Sequence, residues 1–122
     1  MVERRVISEN ELAVLTAWLD HDVPGAVELR SQLTPTLEVY RSCDCGCGSI
    51  GFARPQERQA STSGVNFFAV QAVILDEDGA TVGGMALLSK GDGLLHDVDL
   101  HWDAEGTQSF PLLDQVRFEP PI

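Results

Sequence analysis

The sequence predicts an α+β domain in which an N-terminal helical hairpin packs on a four- or five-stranded antiparallel sheet arranged as a meander. Two observations carry this reading. Before Pro35 apolar residues recur at three- and four-residue spacing, the period of an amphipathic helix, whereas after it they alternate or run continuously in short stretches. Those later stretches are joined by short turn sequences, and parallel strands would need longer crossovers.

The first helix is legible in "VISENELAVLTAWLDHD". Ser8 stands three residues before Glu11, so each side chain can satisfy a free backbone N–H at a helix start, and Ile7 is placed to staple against Leu12. A helix over about residues 9–20 follows, with Leu12, Leu15 and Leu19, flanked by Val14 and Trp18, as its apolar stripe. Asp22 and Pro24 then suit the cap and first turn of a second helix with Val27, Leu29 and Leu33 on its apolar side. It must end before Pro35, because the residue preceding a proline is pushed out of helical geometry.

Five strand segments follow: "TLEVYRSC", "SIGFA", "VNFFAVQAVILD", "ATVGGMALLSK" and "LLHDVDLHW". "DEDG" (residues 76–79) and "KGDG" (90–93) carry the Asp and Gly of tight turns, which makes the last three segments a meander. The polar stretch "RPQERQASTSG" (54–64) reads as the main loop. Near the end, residues 116–118 form a short apolar run suited to an edge strand, which Pro120 and Pro121 would terminate.

Composition narrows the function classes. A chain of 122 residues fits one domain, residues 1–122, whose core needs neither metal nor disulfide to fold. Its net charge of −11 opposes binding to phosphate backbones and anionic membranes, so neither nucleic acid nor membrane is an expected partner. A basic protein partner would be favoured. The opening "MVERRVISENE" has no apolar run behind its charges, and the expectation is a cytoplasmic chain with reduced thiols.

The three cysteines all lie in "YRSCDCGCGSIGF". On a regular strand Cys43, Cys45 and Cys47 would share one face, with the outer two roughly 13 Å apart, whereas sulfurs on one tetrahedral zinc lie within about 4 Å of each other. A metal site therefore requires the chain to curl, which Asp44, Gly46 and Gly48 permit. A fourth ligand would have to be His21, His96, His101, a carboxylate or water. Two readings follow: no cofactor, with the cysteines as compact structural side chains, or one zinc held by Cys43, Cys45 and Cys47 and completed by His96 or His101. A Cys43–Cys47 disulfide is a third, redox reading.

In "LLHDVDLHW" strict alternation puts Leu94, His96, Val98, Leu100 and Trp102 on one face and Leu95, Asp97, Asp99 and His101 on the other. Asp97, Asp99 and His101 could bind a divalent ion or supply an acid and a base. One polar side is also what any half-exposed antiparallel strand displays. No Gly-x-Ser-x-Gly, phosphate loop or His-Glu-x-x-His motif accompanies them.

Three segments, "ERRVISENELAVLTAWL", "CDCGCGSI" and "LLHDVDLHW", together resemble a small bacterial protein family known only as a domain of unknown function. The resemblance implies a compact α+β domain and transfers no catalytic residue. The expectation is a non-enzymatic protein-binding module, by class analogy with compact acidic immunity proteins that mask basic surfaces, with Asp76, Glu77, Asp78, Asp97 and Asp99 as candidates for an acidic docking patch. The zinc protein is the alternative.

Overall fold

In a computed structural model, residues 3–42, 47–53, 67–89, 94–103 and 109–120 are described. Cys43, Cys45, the 54–64 loop and the 90–93 turn fall outside them. The fold is α+β, with one seven-stranded antiparallel sheet and two helices.

Helix α1 (Glu9–Trp18) starts as its sequence dictates. Ser8 Oγ accepts from the Glu11 N–H at 3.1 Å while Glu11 Oε1 accepts from the Ser8 N–H at 2.9 Å. Val14, Leu15, Trp18 and the cap residue Leu19 are fully buried, so the apolar stripe faces the core as expected. Helix α2 (Ala26–Arg30) differs from expectation. Gly25, at φ 89°, is its N-cap in place of Asp22, and Pro24 stands outside the helix instead of in its first turn. The cause is backbone geometry: the entry needs a left-handed residue, which glycine supplies without a Cβ penalty. Only five residues long, α2 buries Ala26 and Leu29 and leaves Val27 65% exposed.

The strands are β1 (Arg4–Val6), β2 (Glu38–Arg41), β3 (Ile50–Phe52), β4 (Gln71–Leu75), β5 (Thr81–Ser89), β6 (Leu95–Trp102) and β7 (Val116–Glu119), in the order β1-β2-β3-β6-β5-β4-β7. The expected count of four or five is too low. β1 lies in the basic lead-in "RRV", three exposed residues with no apolar period to reveal them, and β7 is the edge strand expected of the tail. The meander β4-β5-β6 is present, and its first turn closes through Asp76: Oδ1 accepts from the N–H groups of Asp78 and Ala80, with Gly79 at φ 84°.

Register assigns the two faces. Val39, Ile50, Phe52, Ile74, Leu87 and Val98 share one cluster with the buried residues of both helices. The alternate positions, including Tyr40, Val73, Ala86, Asp99 and His101, point away from that cluster. On this outer side the Tyr40 ring covers Gly51, filling the place a Cβ would take. β6 breaks strict alternation once. Leu88 pairs with Asp97 but Ser89 pairs with Leu95, so His96 is an extra, bulged residue. Leu95, expected on the polar face, is thereby returned to the core.

Two adjacent glycines in β5 make a test. A Cβ on Gly83 would collide with the His101 backbone oxygen, whereas one on Gly84 meets only the Ala72 carbonyl at 3.7 Å. Gly83→Ala is expected to destabilise the fold by about 1–3 kcal/mol, and Gly84→Ala by less than about 1 kcal/mol, as read from urea midpoints.

Candidate functional site

The outer face has a groove that begins with an irregularity in the β4 line. Phe67 pairs with Leu88 and Ala72 pairs with Met85, so the four residues 68–71 must pass opposite only residues 86 and 87. The surplus chain leaves the sheet. It is held by the Trp18 indole, whose Nε1–H donates to the Val70 carbonyl at 2.8 Å inside the core, and by the Phe68 N–H, which donates to the Leu87 carbonyl at 3.0 Å.

The space so opened is about 610 Å³. Gly84 and Ala86 form a floor of small side chains. Phe67, 68% exposed, and Val73 stand on the β4 side, with Asp99 and His101 on the β6 side. Register sets the polar wall, since Ala86 is opposite Asp99 and Gly84 is opposite His101. Being two apart on one strand face, Asp99 and His101 have their Cα atoms about 6.6 Å apart. His101 Nε2 also lies 3.6 Å from Asp103 Oδ1.

This lining combines an exposed aromatic ring, a small-residue floor and a carboxylate beside an imidazole. It suits a ligand that brings positive charge and apolar surface together, because a cation is attracted both to carboxylates and to an aromatic face. The groove lining contains no hydroxyl or thiol nucleophile among the described residues.

The other candidates are dispersed. Cys47 lies at the Trp102 end of β6, where the Trp102 Nε1–H donates to the Cys47 carbonyl at 2.7 Å. Its Sγ is 3.0 Å from Ser49 Oγ, and that fully buried hydroxyl accepts from the Leu100 N–H at 2.8 Å. His96 is at the opposite end of the same strand, in the bulge, roughly 20 Å along from Trp102. The His21 Nδ1–H donates to the Trp18 carbonyl at 2.9 Å, and its ring lies 5.9 Å from that of Phe118. Among the described residues no group of three His, Cys, Asp or Glu side chains is placed to hold a metal ion. Cys43 and Cys45 are outside them.

Of the strand-face trio, Asp99 and His101 line the groove and Asp97 does not; it is half-buried opposite Leu88 and Gly51. Sequence reasoning missed Phe67 and the Gly84/Ala86 floor. The available signal was "GGMA" inside an apolar strand, which marks where side-chain bulk is missing. No protein-family model, curated protein or solved structure matches this chain. Among the described residues no helix is long and apolar enough to cross a membrane.

Proposed function

We propose that this chain is a non-enzymatic binding module whose outer-face groove receives a basic, apolar-containing segment of a partner protein. The observation that carries the reading is the juxtaposition of exposed Phe67 with Asp99 across a floor of Gly84 and Ala86. Chain charge agrees with it. At −11, long-range attraction steers a cationic partner inward, and the aromatic-plus-carboxylate lining gives that partner a place to dock. An immunity-type protein that masks a basic surface would use the same chemistry.

The test is fluorescence anisotropy with a labelled peptide alternating Lys and Leu, and with its Glu and Leu counterpart as control. The Lys peptide is expected to bind, with Asp99→Asn and Phe67→Ala each weakening it by about 3- to 10-fold, matching contacts of about 1 kcal/mol. Ala86→Leu, which fills the floor, should weaken it further. Unchanged affinity in all three variants would remove the groove from the interaction.

A further inference from the structure

The described residues include five arginines, and three of them, Arg4, Arg5 and Arg41, lie on the adjacent strands β1 and β2. The two strands carry these three arginines against one carboxylate, Glu38, with Glu3 just before β1, on an otherwise strongly acidic chain. Three of the five have partners: Arg30 with Asp20 at 3.5 Å, Arg117 with Glu119 at 3.8 Å and Arg5 with Glu11 at 2.6 Å. Among the described residues Arg4 and Arg41 make no ion pair.

These two cations flank β1, an edge of the sheet that no other described strand pairs with. The Ile7 N–H donates to the Leu37 carbonyl, and in an antiparallel ladder such pairs recur at every second residue, so Arg5 also bonds inward to Val39. The backbone groups of Arg4 and Val6 then point outward, away from β2. Arg4 stands opposite Tyr40 on the outer face, while Arg41, next along β2, is on the helix side. There Arg41 lines a pocket of about 260 Å³ with Arg5, Glu11, Gly48, Ser49 and Phe110. Glu11 is saturated by Arg5 and Ser8, which leaves Arg41 to attract an incoming anion. At the opposite edge, β7 pairs its own Arg117 with Glu119 and is followed by Pro120, which has no N–H to offer.

We propose that β1 is a strand-addition site for an acidic segment of a partner protein, separate from the groove and opposite to it in charge preference. The added chain pairs with the outward N–H and C=O groups of Arg4 and Val6. Carboxylates on adjacent residues of that chain, which point to opposite faces, reach Arg4 on one side and Arg41 on the other. Main-chain bonds supply affinity and the two guanidinium groups supply sign.

The probe is the peptide acetyl-Val-Glu-Glu-Glu-Val-amide, whose successive carboxylates point to both faces of an added strand, offered to the full chain while amide exchange is followed by NMR. Protection of the Arg4 and Val6 N–H groups is expected, with binding that weakens about tenfold on Arg4→Glu or Arg41→Glu and falls as salt shortens the screening length. Val6→Pro deletes an outward N–H that pairs with none of the described residues, so it should abolish binding while leaving the melting temperature near that of the parent. Asp99→Asn should have no effect, which keeps this result independent of the groove. No protection at Arg4 and Val6 with peptide at about 1 mM, or binding that survives Val6→Pro, would overturn the proposal.

Discussion

Trp18→Ala is expected to cost about 3–5 kcal/mol in urea or thermal unfolding, the range for emptying a buried tryptophan site. The side chain is wholly inaccessible, packs 6.0 Å from the Phe118 ring and donates to the Val70 carbonyl at 2.8 Å. Truncation therefore opens a cavity and orphans a buried acceptor together. Against a total stability of about 5–15 kcal/mol for a domain of this size, that loss is a large fraction. Trp18→Phe separates the two contributions: it retains most of the volume and loses the hydrogen bond, so about 1–3 kcal/mol is expected. Both changes should also disturb the groove, because the indole anchors the surplus chain at Val70 that frames it. A Trp18→Phe variant that kept full stability would show that the Val70 bond contributes nothing.

Glu11→Gln is expected to cost about 2–3 kcal/mol. Breaking a buried pair commonly costs more, but Arg5 is 51% exposed and its freed guanidinium can be solvated. The carboxylate accepts three hydrogen bonds: two from Arg5 at 2.6 and 2.7 Å, tying β1 to α1, and one from the Ser8 N–H at the cap of that helix. Burial by itself would raise the Glu11 carboxyl, but the bonds from Arg5 and Ser8 and the Arg5 charge outweigh it and hold the group below its ordinary value of 4.5. The same hydrogen bond raises Arg5.

A carboxyl depressed in the folded state binds its proton more readily when unfolded. Its contribution is therefore present above about pH 4.5 and lost as pH falls through the lower folded-state value. Thermal melts taken downward from about pH 5 should show parent stability declining more steeply than that of Glu11→Gln, since glutamine has nothing to titrate. Parallel curves would mean that Glu11 is not a source of acid sensitivity.

These residues also indicate how far the sequence could be read. The start of α1 was legible because a capping box is local, needing only Ser8 and Glu11 three positions apart. The Asp76–Gly79 turn was legible for the same reason. β1 was not, because an exposed three-residue edge strand exists only through its pairing with β2, a non-local event that leaves no period in "RRV". The place of Leu95 depended on a bulge opposite Ser89, and a single extra residue reverses every alternation argument beyond it. At the site, alternation correctly put Asp99 and His101 together, while Phe67 became part of the groove only through the Trp18–Val70 contact, 52 residues apart. Of the three cysteines the described one, Cys47, packs beside Ser49.

A docking surface on the outer sheet face differs from a solvated strand side in having a saturable, charge-selective ligand. The most direct measurement is an NMR titration of the full chain with the Lys and Leu peptide, reading backbone amide shifts residue by residue. Saturable shifts are expected at Gly84, Ala86, Asp99 and His101, absent with the Glu and Leu peptide. Shifts confined to the acidic turn at residues 76–79 or to α1, or no shifts at all, would contradict it.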